Sequence, residues 1–348
     1  HAGHSHGPSA EYGCGLAPLE AYDLPLHIGA LFILLVASTI GTFVPIFLQP
    51  AAKAGEEGSK PSSPLKRCVE YAFFICRHFG TGVILSTAFI HLLSHAFIYF
   101  SNECIGELAF ESTSPAIAMG AVWLVFVIDF FLLRSIRNKA NAEVPEAQRV
   151  ARDGKISGSD SGLEDDEEQV VARQSDSDAE RVRAQAKVQT WDVFALEAGI
   201  IFHSILIGVT LGASSGSGWV ALLIAITFHQ FFEGLALGSR IALLPRAFTS
   251  LLKKFVMGLG YSITTPLGIG IGIGVRQTFN SNDRPTLLVL GIFHSLSAGI
   301  LLYTALVELI AGDFIHGKGL RNASTARCLA AIASLTVGAA LMSILGKW

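Results

Sequence analysis

The sequence predicts an all-α integral membrane protein of eight transmembrane helices. Of its 348 residues, 51% are hydrophobic and only 15% are charged, whereas a soluble globular chain is about one quarter charged. Eight separate stretches are apolar over the ~20 residues that a helix needs to cross a bilayer core. Lysine and arginine also alternate between connections: 21 of the 25 fall in odd-numbered ones. The positive-inside rule makes those connections cytoplasmic and puts both termini outside. The 35 glycines suit close helix packing in lipid, and a net charge of −3 argues against a nucleic-acid partner.

Residues 1–25 hold no Lys or Arg and are expected as an extracellular tail. Its His1, His4 and His6 read either as a metal-gathering tract or as a plain tail. Residues 26–134 carry the first three spans, Leu26–Leu48, Tyr71–Tyr99 and Pro115–Leu133. The second is longer than one crossing, which puts Arg77 and His78 at an interface. Residues 135–190 form the only long connection, and its middle reads SGSDSGLEDDEEQ. Too polar to bury a core, it is expected as a disordered acidic cytoplasmic loop. It serves either as a solvated linker or as a regulatory or metal-sensing segment.

Residues 191–348 carry the remaining spans: Val193–Gly212, Val220–Gly238, Phe255–Val275, Thr286–Ile310 and Ala326–Leu345. In the sixth, Thr264-Thr265-Pro266 precedes GIGIGIG from Gly268 to Gly274. This stretch reads either as a broken helix lining a pathway or as a packing surface. The five cysteines stand singly with no CxxC, which speaks against a thiolate zinc site. Cys14 and Cys104 share the outer side, where a disulfide would persist, and are either bridged or unrelated.

The fourth and fifth spans share one pattern. His203-Ser-Ile-Leu-Ile-Gly208-Val-Thr-Leu-Gly212 and His229-Gln-Phe-Phe-Glu233-Gly234-Leu-Ala-Leu-Gly238 both read H-polar-x-x-x-G-x-x-L-G. The two helices are consecutive and antiparallel, and each histidine lies about ten residues from its helix start, so the histidines share one depth near the midplane. Matched elements meeting there mark a transporter binding site. Ionisable groups at that depth are costly and need partners or a wet cavity. His229 and Glu233 are four apart and share a helix face. With His203 they make a three-ligand set suited to zinc, ferrous iron or manganese, beside Ser204 and Gln230. Gly208, Gly212, Gly234 and Gly238 are expected to bring these two backbones together. Against the metal reading stands hydrogen bonding of each histidine across helices.

The seventh span holds a weaker copy, His294-Ser-Leu-Ser-Ala-Gly299, and the second holds His91 and His95, four apart. The topology puts these histidines in the outer half. Asp129, Glu197 and Glu308 lie near inner helix ends, either as stations along a pathway or as interfacial residues facing water. With no HExxH and no nucleophile–base pair, an enzyme is not expected.

At HSILIGVTLG and HQFFEGLALGSRI the sequence resembles the ZIP (Zrt-/Irt-like) family of divalent metal transporters, in particular the plant and fungal zinc and iron importers. YDLPLHIGALF, RHFGTGVILSTAFIHLL and HSLSAGILLYTALVELIAGDF are similar to that family too. The resemblance implies eight helices with both ends outside and import of metal toward the cytoplasm. It implies metal-binding positions at His203, Ser204, His229, Gln230 and Glu233, and inner-pathway acids at Asp129 and Glu308. Some members carry a carboxylate four residues after the helix-four histidine; here that residue is Ile207, so a single metal is expected. The long loop lacks the histidines of many members, which argues against a His-based cytosolic sensor.

The chain is thus expected to carry Zn2+ by alternating access, as a homodimer in the plasma membrane and with no resident cofactor. An iron or broad-range importer, taking Fe2+, Mn2+ or Cd2+, and a non-transporting metal receptor remain alternatives. Ligand chemistry alone does not separate the metals.

Overall fold

The computed structural model describes Cys14 and residues 22–48, 64–142, 165–216, 218–245, 249–277 and 282–346. Among these residues there is no strand, and eight helices are long and apolar enough to span a bilayer: α1 Leu24–Leu48, α2 Arg67–Phe100, α3 Thr113–Ser135, α4 Ala186–Ala213, α5 Trp219–Leu243, α6 Leu251–Val275, α7 Arg284–Arg321 and α8 Thr325–Leu345. Local signals set several starts. Asp283 accepts a hydrogen bond from the Thr286 amide at 2.9 Å, next to Pro285 in the first turn of α7. Ser250 and Ser324 accept likewise from Lys253 and Arg327 ahead of α6 and α8.

The helices form one bundle. α1 packs on α5 and α6, α4 on α6 and α7, α2 on α5 and α8, and α3 on α7. Large apolar side chains such as Phe32, Phe47, Met119, Trp123 and Leu329 point outward, which suits a lipid solvent. The polar residues are turned inward: His203, Ser204, His229, Gln230, Glu233, His294 and Asp129 are all buried. On the side where α1 begins, Tyr22 donates to the Gly212 carbonyl at 2.6 Å and His27 bonds the Ser214 carbonyl at 2.9 Å. Cys14 and Cys104 form a disulfide on that side.

Of the two readings of the sixth span, the packing surface is the one observed: the helix is uninterrupted through Pro266. Ser262 and Thr264 turn their hydroxyls onto the Gly258 and Tyr261 carbonyls, and Pro266 is buried among packed helices. One expectation needs correction: the glycines of α4 and α5 do not face each other. A methyl on Gly208 or Gly212 would strike the α6 backbone at Thr265 and Ile269, and one on Gly268 would meet the Ile205 carbonyl of α4 at 2.5 Å. Gly234 and Gly238 instead abut Ser38 and Thr42 of α1. A four-residue glycine period thus makes two seams, α4 on α6 and α5 on α1, between which the polar faces meet.

The third connection departs from the picture of a loop throughout. The helix that ends at Ala213 starts at Asp165, and the one containing α3 runs to Ala142. The stretch DDEEQVVARQSDSDAERVRAQAKVQ is rich in strong helix formers and can continue a helix seeded in the bilayer. Residues 143–164 lie outside the described residues, as do His1, His4 and His6.

Candidate metal centre

Two antiparallel helices with matched histidines deliver the centre. His203 comes from the middle of α4, His229 and Glu233 from successive turns of α5. The two Nε2 atoms are 3.4 Å apart, and His229 Nε2 is 3.4 Å from Glu233 Oε1. A ligand atom from each of the three lies within 4.8 Å of the others, and all three residues are buried. Ser204 and Gln230, the next residue along each helix, are fully buried.

Six polar atoms at these positions make no hydrogen bond: His203 Nδ1, the Ser204 hydroxyl, both Gln230 amide atoms and both Glu233 oxygens. Buried polar atoms are rarely left so, and a cation is the partner that two imidazoles and a carboxylate suit. The direct alternative, histidines satisfied across helices, does not account for them. Ile207 stands four residues after His203 and lines the adjoining cavity, so no second carboxylate bridges toward another ion from that turn.

Four further elements shape the centre. His91 lies against His229 with ring centroids 4.8 Å apart, and its Nε2 donates to the Met342 carbonyl of α8 at 2.8 Å. It sits in a π-helical stretch, Thr87–Leu93, that widens α2 at this depth. His294 of α7 meets His203 edge-on at 5.9 Å. From α6, the Tyr261 hydroxyl donates to the Gln230 carbonyl at 2.7 Å. A cavity of about 110 Å³ leads from His203 and His229 past His91 and His294 toward the side where α1 begins.

On the opposite side a second cluster joins three helices. Asp129 of α3, Asp192 of α4 and Glu308 of α7 each offer a carboxylate oxygen within 4.8 Å of the others. Tyr303 donates to Asp129 at 2.9 Å. Glu308 belongs to a second π-helical stretch, Thr304–His316. A cavity of about 430 Å³ is lined by Asp192, Glu308, Arg240, Arg77 and Asp313. Arg240 reaches Asp313 at 2.8 Å and Thr81 at 2.6 Å, and Arg77 pairs with the same Asp313.

His203, His229 and Glu233 are therefore brought together as their spacing implied, and Asp129 and Glu308 meet in the second cluster. Glu197 joins neither group: its carboxylate faces Gly260 of α6. Sequence reasoning missed Asp192 and the Arg77–Asp313–Arg240 network. Asp192 sits one residue before the run taken as the fourth span, where an acid reads as interfacial.

The family model described as "ZIP Zinc transporter" matches residues 24–346. The chain is 40% identical to Zinc-regulated transporter 1 of Candida albicans, over 94% of this chain and 62% of that protein's length. It is 34% identical to Zinc transporter 3 of Arabidopsis thaliana, over 99% of this chain and 92% of the relative. Fe(2+) transport protein 1 of the same plant is 31% identical, over 94% and 87%.

Proposed function

The chain belongs to the ZIP family of zinc transporters, and on that premise we propose that it imports Zn2+ across the membrane through His203, His229 and Glu233, with Ser204 and Gln230 beside them. The observation that carries the proposal is the convergence of these three buried ligands, from two antiparallel helices, within 4.8 Å. The ion loses its hydration shell only where two imidazoles and an anion replace it, so a dication is accepted in hydrocarbon that would reject it bare. The ligands come from separate helices, so relative movement of those helices opens the shell to one side and then the other.

The His-lined cavity gives entry, and the cluster of Asp129, Asp192 and Glu308 receives the ion on the far side. The Lys and Arg asymmetry supports an inward direction, with both termini extracellular and the long connection cytoplasmic. Family resemblance supports a homodimer in the plasma membrane and no enzymatic reaction. A broader metal range has one specific support, the ferrous-named relative at 31% identity. Competition between zinc and iron, manganese or cadmium separates the two.

The test is labelled-zinc uptake into proteoliposomes. His229→Ala and Glu233→Ala should each abolish it while the protein stays monodisperse and helical; wild-type uptake by both variants refutes the site. A receptor that moves no ions would lose its function on deletion of residues 154–185, whereas uptake should survive that deletion.

A further inference from the structure

We propose that Leu196 and Ile200 of α4, Leu237 of α5 and Leu301 of α7 form the inner gate of the transport path, closed in this structure, and that the Arg240–Asp313 ion pair is the latch that holds it closed. The proposal rests on the reading of the central triad as the metal centre and says what stands between that centre and the acidic cluster.

Four helices repeat one order of side chains at helical spacing. Toward the inner side α4 carries His203, then Ile200, Leu196 and Asp192, in steps of three and four residues. α5 follows Glu233 with Leu237 and Arg240, and α7 follows His294 with Ala298, Leu301 and Ala305. α2 sets Ala88 and Ile84 between His91 and Thr81. These intervening apolar residues are fully buried and belong to one packed cluster. On α4 the rise from Asp192 to His203 is ~16 Å.

The two cavities end on either side of this layer. The one of about 110 Å³ touches His203 and His229, the one of about 430 Å³ reaches Leu196 and Asp192, and they share no lining residue. A dication is strongly disfavoured in hydrocarbon, and apolar constrictions close a path by excluding water. An ordinary core would be as apolar. This one lies, on α4 and on α7, between a histidine beside the centre and an acid of the inner cluster.

Arg240 stands two turns beyond Glu233, ~10 Å further in. Its guanidinium donates to Asp313 of α7 at 2.8 Å and to the Thr81 hydroxyl of α2 at 2.6 Å. One side chain thus ties the helix that carries two of the ligands to two helices across the path. Arg240 and Asp313 also line the larger cavity. When the helices part there, both charges turn to water, so opening the latch strands no bare ion in hydrocarbon.

Thiol accessibility of the full-length protein in vesicles of known orientation tests this, with Cys68, Cys76 and Cys328 replaced by serine and the Cys14–Cys104 disulfide kept. A membrane-impermeant thiol reagent is added, without zinc, on the face opposite the start of α1. Leu196→Cys, at the cavity wall, should react about tenfold faster than Ile200→Cys behind it, because a dry layer excludes the reagent. Adding Arg240→Met with Asp313→Leu should quicken Ile200→Cys about tenfold, the population shift that loss of a modest tie gives. Thr81→Val keeps the side-chain shape, so it should fold even where that pair does not. It removes one bond of the latch and should quicken Ile200→Cys about threefold. Equal rates at Leu196→Cys and Ile200→Cys overturn the gate, and an unchanged Ile200→Cys rate in both latch backgrounds overturns the latch. The labelling needs no zinc, so it is read apart from the central site. If His229→Ala and Glu233→Ala take up zinc normally while the labelling pattern holds, the central assignment falls and the gate stands.

Discussion

Tyr261 of α6 is fully buried, and its hydroxyl donates to the main-chain carbonyl of Gln230 at 2.7 Å, inside the turn that carries His229 and Glu233. A helix carbonyl has two lone pairs but one helical donor. The phenol therefore ties the metal-binding turn of α5 to α6, which is itself locked to α4 through glycine contacts. Tyr261→Phe keeps the ring and removes only this bond, an effect of about 0.5–1.5 kcal/mol because the carbonyl keeps its helical donor. Zinc affinity and uptake should fall about tenfold with little change in helix content. Equal zinc binding by wild type and variant, measured by calorimetry, would show that the tie does not position the ligands.

The α4–α6 seam makes a sharper distinction within one glycine run. A side chain on Gly268 or Gly272 would collide with α4, whereas nothing lies within 4 Å of where one would project from Gly270 or Gly274. Gly268→Leu should be destabilising by about 3 kcal/mol or more, as overpacking is in tight cores. Gly270→Ala should be neutral or stabilising by up to about 1 kcal/mol, because alanine is the better helix former. Thermal unfolding in detergent compares the two, and similar midpoints would deny the seam.

Much of this architecture was legible before any coordinates. Apolar run lengths gave the spans, and the charge alternation was consistent with their number. His203, His229 and Glu233 stood out because ionisable groups in hydrocarbon demand a reason. The partner of each glycine face was not legible. A four-residue period fixes which residues share a face, not which helix lies opposite, so α4 was paired with α5 where it meets α6. Asp192 was hidden for a related reason: at the edge of an apolar run, an acid facing water and one facing a cavity look alike. The π-helical stretches at His91 and Glu308 leave no compositional trace at all.

Asp313 is shared by two guanidiniums, Arg240 at 2.8 Å and Arg77. Arg240 and Asp313 are both buried, whereas the Arg77 side chain is 37% exposed. Asp313→Asn would leave Arg240 charged without its anion, and breaking such a buried pair is destabilising by about 3–5 kcal/mol. Arg77→Gln should cost far less, since an exposed pair is worth at most about 1 kcal/mol. Replacing both members of the buried pair, Arg240→Met with Asp313→Leu, should recover most of the stability lost by Asp313→Asn. Thermal midpoints of the three proteins decide this: a double variant no better than Asp313→Asn would mean that packing, not charge balance, holds the ends of α2, α5 and α7 together.

The carboxylates of Asp129, Asp192 and Glu308 converge within 4.8 Å from three helices. Carboxylates that close repel one another when ionised, and a passing dication relieves the repulsion. Tyr303 donates to Asp129, while Oδ1 of Asp129 and Oδ1 of Asp192 have no hydrogen-bond partner, so the cluster retains oxygen atoms to receive an ion. Oxygen donors bind zinc less firmly than the two imidazoles behind them, which makes the cluster a place of departure. Asp192→Asn removes one charge without touching the centre. Zinc affinity at His203, His229 and Glu233 should stay within about twofold, because Asp192 belongs to a separate cluster and gives no ligand atom to the centre. Turnover should fall several-fold as the ion loses its stepping point. Uptake at saturating zinc, set beside equilibrium binding on the same preparation, separates the two quantities. A variant with weakened binding and normal maximal rate would place Asp192 with the centre instead of on the way out.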